Sequence, residues 1–98
     1  MKKRSGELVK NLKFRVELRP SVVKEISRID ARYQPKLWTK IEALSDNPTP
    51  VDSIKVTDRE GIYRLRLGVY RIFYEIDFNR RIVFIAHVMH RQSSYKKK

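Results

Sequence analysis

From Phe14 to Leu18 the chain alternates apolar and charged residues. A period of two marks a strand with one buried face, and Phe14, Val16 and Leu18 are its inward positions. The period then changes. Pro20-Ser21 offers a helix start, through a proline whose φ is already helical or a serine that caps. Val22, Ile26, Ile29 and Tyr33 follow at spacings of four, three and four, which is one face of an amphipathic helix. Pro35 opens a second helix, in which Leu37, Ile41 and Leu44 repeat the pattern and Trp38 widens the stripe. Asp46-Asn47-Pro48 ends it, because a proline pushes the residue before it out of the α region. So short a gap between two helices predicts a helical hairpin.

Thr49 to Glu60 reads as a loop with a short edge strand around Ile54 to Val56. Next comes the stretch Tyr63-Arg64-Leu65-Arg66-Leu67-Gly68-Val69-Tyr70-Arg71-Ile72-Phe73-Tyr74, two alternating strands about a Gly-Val turn. Glycine at the first central position suits a two-residue type II′ turn. That turn pairs Leu67 with Tyr70, Leu65 with Ile72 and Tyr63 with Tyr74 on one face. On the other face it sets Arg66 against Arg71, with Arg64 two residues along. A further turn of two or three residues near Phe78-Asn79-Arg80 leads to Arg81 to Met89, which is apolar on both faces, as a covered central strand should be. The predicted class is therefore α+β: an N-terminal strand, a helical hairpin, then a three- to four-stranded antiparallel meander with the helices packed on one face.

Length changes this picture little. Ninety-eight residues hold one modest core, with residues 13–95 as the domain, residues 1–12 as a basic extension and residues 96–98 as a basic tail. The absence of cysteine excludes disulfides, a thiolate metal site and a cysteine nucleophile. No apolar run approaches the roughly 20 residues of a membrane span, and the basic start has no apolar signal region. A cytoplasmic location, no membrane and no small-molecule cofactor are expected.

Charge changes the picture more. Twenty-three Lys and Arg against eleven Asp and Glu give +12, and an excess of that size on a small domain points to a polyanion, nucleic acid first. The excess is spread along the chain and locates no site. The hairpin does. Like charges directly opposite in a sheet destabilise it, so a fold that holds Arg64, Arg66 and Arg71 together has an anion for them to grip. Alternating arginine is also the ordinary wet face of an antiparallel sheet. Arg91 follows the last strand, and its antiparallel course brings it back near Arg71; whether it shares that face depends on register. Four guanidiniums there would hold a phosphodiester and stabilise charge building on phosphorus. Tyr95 could stack a base, exchange a proton or simply anchor the C-terminus. His90 could be a general acid or base, and His87, inside an apolar strand, is structural. No metal-ligand spacing exists.

Gly61 to Ile76, followed by His90-Arg91 and Tyr95, resembles the RelE/ParE superfamily of bacterial and archaeal toxins, with the likeness running from about Phe14 to Tyr95. The RelE branch cuts messenger RNA inside the ribosome without metal. By that resemblance Arg64 and Arg66 stand for the two basic residues of the third strand and Arg71 for the phosphate-gripping arginine. Arg91 stands for the basic residue after the last strand, Tyr95 for the C-terminal tyrosine, and His90 where some relatives place histidine. The implied reaction is attack of a ribose 2′-hydroxyl on phosphorus. Arginine stays protonated and makes a poor base, so Arg64 and Arg66 would stabilise charge while His90 or Tyr95 moves protons. Lys55 and Lys96 join Arg64, Arg66, Arg71 and Arg91 as candidate RNA contacts. The resemblance implies a cognate antitoxin, and message in the ribosomal A site with ribosomal RNA as partners. Two alternatives stand beside it: a ParE-like inhibitor of DNA gyrase acting by binding, and a non-catalytic basic nucleic-acid-binding module.

Overall fold

The computed structural model describes residues 13–56 and 61–92. The elements run β1 (Arg15–Leu18), α1 (Pro20–Ser27), α2 (Gln34–Ala43), β2 (Ser53–Lys55), β3 (Ile62–Leu67), β4 (Tyr70–Asp77) and β5 (Ile82–His90). They form the expected α+β fold, but the sheet is mixed. Its order is β1-β5-β4-β3-β2, and β1 lies parallel to β5, with Arg15 beside Ile82 and Leu18 beside Ile85. The other pairings are antiparallel. Parallel neighbours need a long crossover, and the helical hairpin is part of it.

Both helices open on the expected prolines, Pro20 at the first turn of α1 and Pro35 at the first turn of α2. Helix α1 is shorter than the apolar spacing predicts. It ends at Ser27, and Ile29 and Tyr33 reach the core from the turn that follows. Asp30 makes that turn: its Oδ1 accepts the Arg32 backbone N–H at 2.9 Å, and its Oδ2 accepts Arg32 Nη2 at 2.8 Å. Side-chain bonds of this kind compete with helical ones. They also hold the Asp30 carboxyl down at about 2, the Arg32 guanidinium being the first cause. Trp38 does not widen the buried stripe, since it remains 37% exposed while its neighbour Leu37 is fully buried.

The core lies between the helices and one sheet face. Val22, Ile26, Leu37, Ile41 and Leu44 meet Leu65, Ile72, Tyr74, Val83, Ile85 and Val88 there. Each fully buried aliphatic side chain contributes roughly 1.5–3 kcal/mol. Tyr74 brings a hydroxyl into this layer and donates it to Pro48 O at 2.8 Å. Burial pushes that phenol up to about 12.

The β3–β4 hairpin has the predicted register throughout, with Leu67 beside Tyr70, Leu65 beside Ile72 and Tyr63 beside Tyr74. Gly68 has φ 59° while Val69 has no positive φ, the signs of a type II′ turn. The β4–β5 turn is longer than expected. Asp77 pairs with Ile82, so four residues lie between them, and Arg81 takes φ 57°. Asp77 Oδ1 accepts the Arg80 N–H at 3.0 Å and fixes the wider turn. A bulge follows, because Phe73 pairs with His87 and Tyr74 with Ile85, leaving Ala86 extra. Turn and bulge together set the register at the far end, with Tyr70 beside His90 and Arg71 beside Met89.

Candidate nucleic-acid interface

Alternation along β3 and β4 sends Leu65, Leu67, Tyr70 and Ile72 toward the helices and Arg64, Arg66 and Arg71 to the other face. Arg66 is directly opposite Arg71, and Arg64 is opposite Phe73. Directly opposed residues of an antiparallel pair have Cα atoms about 4.5–5.5 Å apart. Arg66 is exposed and Arg64 half-buried, whereas Arg71 is only 6% exposed. Arg71 Nη1 donates to Gly68 O and Tyr70 O, both at 3.2 Å. That leaves Nε and Nη2 without a hydrogen-bond partner among the described residues.

Arg91 joins this end of the sheet. Its N–H donates to Val69 O at 2.6 Å, tying the chain after β5 to the β3–β4 turn, and its side chain is exposed. His90 goes the other way. Its ring meets the edge of Tyr70 on the helix side, with centroids 5.7 Å apart, and Tyr70 in turn meets Tyr33 at 5.3 Å. His90 Nδ1 accepts the Gln92 N–H at 3.1 Å. His90 therefore lies on the side of the sheet away from the arginines of β3 and β4. Lys55 pairs with Tyr63 and alternates with Ile54, which pairs with Arg64, so Lys55 lies on the side away from the arginines. Tyr95 and Lys96, like residues 1–12 and the tail 96–98, fall outside the described residues.

Two residues of this surface were not singled out in the sequence. Asp52 and Ile54 line a cleft of about 270 Å³ with Arg64 and Arg66. Lys40 Nζ holds Asp52 Oδ2 at 2.8 Å and keeps its carboxyl below the usual range. A pairing between a helix and a loop twelve residues apart has no period to betray it. The opposite end of the same face holds a groove of about 660 Å³ whose lining includes Glu17, Glu75 and Asp77, of which Glu17 is paired with Arg15 and Asp77 with Arg80. Behind the sheet edge, His87 Nδ1 lies 3.3 Å from Glu25 Oε2, and Glu25 Oε1 accepts the Val88 N–H at 2.8 Å. Arg19 donates to His87 Nε2, which leaves the ring proton on Nδ1 for Glu25. His87 is thus held between Arg19 and Glu25. Among the described residues no three His, Asp or Glu side chains gather as a metal site, and no helix is long and apolar enough to cross a membrane.

Comparison with known proteins agrees with this fold. The family model for the ParE toxin of type II toxin–antitoxin systems, parDE, matches residues 16–95. The chain belongs to the RelE/ParE toxin superfamily. It is 30% identical over 88 residues to a protein named for the toxin RelE1 of Methanocaldococcus jannaschii, an alignment covering 87% of this chain and 98% of that one. Its fold is similar to that in the archaeal RelE–RelB complex from Pyrococcus horikoshii, with TM-score 0.73, 25% identity, and coverage of 81% of this chain and 96% of that one. The isolated RelE toxin of E. coli shares the fold at TM-score 0.69 and 18% identity, over 79% of this chain and 83% of that one. This RelE/ParE chain is thus a toxin of a type II system.

Proposed function

We propose that this toxin is a RelE-like endoribonuclease that cuts messenger RNA in the A site of translating ribosomes and so halts growth. Arg71 is the observation that carries the reading: a buried guanidinium directly opposite a second arginine, with no carboxylate paired to either among the described residues. A scissile phosphodiester is the anion that such a pair of guanidiniums would hold. In the reaction the ribose 2′-oxygen gives its proton to a base and bonds to phosphorus. The bond from phosphorus to the 5′-oxygen breaks, that oxygen takes up a proton, and a 2′,3′-cyclic phosphate remains. Arg71 grips the phosphate, and Arg64 and Arg66 offset the charge gathering on its oxygens. Arg91, tied to the hairpin turn, closes the site against ribosomal or messenger RNA. Proton transfer is assigned to Tyr95, because the His90 ring faces Tyr70 and its Nδ1 is engaged by Gln92.

The RelE chain of P. horikoshii and that of M. jannaschii were solved with RelB antitoxins. By that likeness this toxin has a cognate antitoxin, whose amphipathic segment wraps the domain and masks its basic surface. A ribosomal target places the toxin in the cytoplasm.

One finding favours a second reading, in which the toxin binds and inhibits DNA gyrase: the matching family model is that of ParE. Primer extension on message in a translating extract separates the two. The ribonuclease reading expects discrete A-site cuts that vanish with Arg71→Ala or Arg91→Ala. Intact message and normal translation, with gyrase supercoiling blocked, would establish the gyrase reading instead.

A further inference from the structure

The sheet face away from the helices carries two surfaces, and the hairpin arginines occupy only one of them. At the other end lies the groove of about 660 Å³, and its floor is a strip of two half-buried β5 residues, Ile82 and Phe84. Register sets Glu17 of β1 and Glu75 of β4 on either side of Phe84, and Asp77 beside Ile82. Glu17 and Asp77 have Arg15 and Arg80 as partners. Glu75 is exposed and has no ion-pair partner among the described residues. Phe78 closes the end of the groove and is itself 57% exposed. An apolar floor beside an unpaired carboxylate suits a segment that joins apolar side chains to a cation.

Residues 1–12 have that chemistry. Lys2, Lys3, Arg4 and Lys10 stand against Glu7 alone, a net charge of +3 from four cations and one anion, and Leu8, Val9 and Leu12 surround Lys10. This segment joins the domain at Lys13, and the next residue, Phe14, meets Phe78 edge to face with ring centroids 5.9 Å apart. It is therefore tethered at the end of the groove, and twelve residues reach up to about 40 Å when extended. A short tether gives it an effective concentration in the millimolar range, an advantage over any free partner of the same chemistry. The matched family model starts at residue 16, so the segment is an addition to what the family shares. We infer that residues 1–12 dock into this groove as an intramolecular arm, with Leu8, Val9 and Leu12 on Ile82 and Phe84 and Lys10 against Glu75. The docked arm covers the exposed apolar strip and lays positive charge over Glu75, on the same face as Arg64, Arg66 and Arg71. The inference goes beyond the ribonuclease reading and does not depend on it.

Nuclear Overhauser contacts in the full-length free toxin, with its Leu, Val and Ile methyls and Phe rings labelled, test the docking at short range. The inference expects contacts from the Leu8, Val9 and Leu12 methyls to the Phe84 ring and the Ile82 methyls. A mixture of labelled and unlabelled chains, filtered for contacts between copies, should show none of them. Lys10→Glu, and separately Glu75→Lys, should each weaken the contacts about threefold, since each turns an exposed attraction into a repulsion. Combining the two substitutions in one chain should restore them. The amide spectrum of β4 and β5 confirms that each variant is folded, and Lys10→Glu leaves the groove itself untouched. Absence of the contacts in the free toxin overturns the inference, as does their appearance only between copies, which would make a second chain the occupant. Contacts that ignore both charge reversals overturn it as well, because Glu75 would then play no part in holding the arm.

Discussion

Arg66 and Arg71 stand directly opposite each other on β3 and β4, and no carboxylate among the described residues pairs with either. The like-charge contact lies next to a type II′ turn whose backbone carbonyls hold only one nitrogen of the buried member. Stability and function therefore pull in opposite directions at this pair.

Replacing the exposed member should show the conflict. Arg66→Thr keeps a good strand former and removes the repulsion, so urea unfolding of the free toxin should show a gain of about 0.2–1 kcal/mol. The gain should shrink in 1 M salt, where the Debye length is about 3 Å. Growth arrest on expression should weaken in the same variant. A variant both less stable and fully toxic would remove the case for an anion site here.

Arg71→Lys tests the shape of the site and not its charge. An ammonium carries the charge but cannot serve the Gly68 and Tyr70 carbonyls on one edge while presenting two parallel donors on another. Cleavage in a translating extract should fall at least about tenfold, equivalent to about 1.4 kcal/mol of barrier. Undiminished cleavage would show that charge alone suffices.

His90 is assigned a positioning role that a substitution series can separate from proton transfer. Its Nδ1 accepts the Gln92 N–H just where the chain turns toward Arg91. Asparagine can accept the same bond two residues on, as in an Asx turn. His90→Asn should therefore retain most of the cleavage that His90→Ala loses. Equal losses of roughly 100-fold or more in both variants would instead make His90 an acid–base group.

Two glycines allow a controlled test of the hairpin turn. Gly68 and Gly61 both have positive φ, at 59° and 76°. A Cβ on Gly68 would lie 3.0 Å from Tyr33 Cε1, while on Gly61 the nearest atom is at 4.0 Å. Both alanine variants should lose about 1–2 kcal/mol for the left-handed backbone. Gly68→Ala should lose more, because the Tyr33 ring must shift. Equal midpoints in urea would show that the ring yields freely.

Tyr74 gives the fold an alkaline limit. Its folded pKa is raised by burial from 10.0 to about 12, so the folded state holds the proton more tightly than the unfolded chain does. The resulting stability is fully present below pH 10 and is lost as pH rises through about 12. A difference of two units corresponds to about 2–3 kcal/mol. Tyr74→Phe should be less stable near pH 7 by about 1–3 kcal/mol, because Pro48 O loses its buried donor. Between pH 10 and 12 the two unfolding curves should converge; parallel curves would rule out ionisation of this phenol as the cause.

Much of the fold was written in local periods. The hairpin register from Tyr63 to Tyr74, the proline-led helices and the Arg66–Arg71 opposition follow from alternation, fixed turn chemistry and helical spacing. These are short-range rules that a sequence carries intact. Where a side chain bonded to nearby backbone, the period misled: Asp30 ended α1 before Tyr33, and Asp77 widened the turn before β5.

The sequence by itself determined which residues carry charge, which strands pair with their neighbours and which arginines share a face. Tertiary structure alone decided that β1 lies parallel to β5, that Arg71 is buried and half-engaged, and that His90 turns from the arginine face. It alone set Asp52 and Ile54 into the basic cleft. The physical reason is separation along the chain. Each of those outcomes depends on contacts between elements or on an accumulated register, where one extra residue such as Ala86 shifts every side chain beyond it to the opposite face.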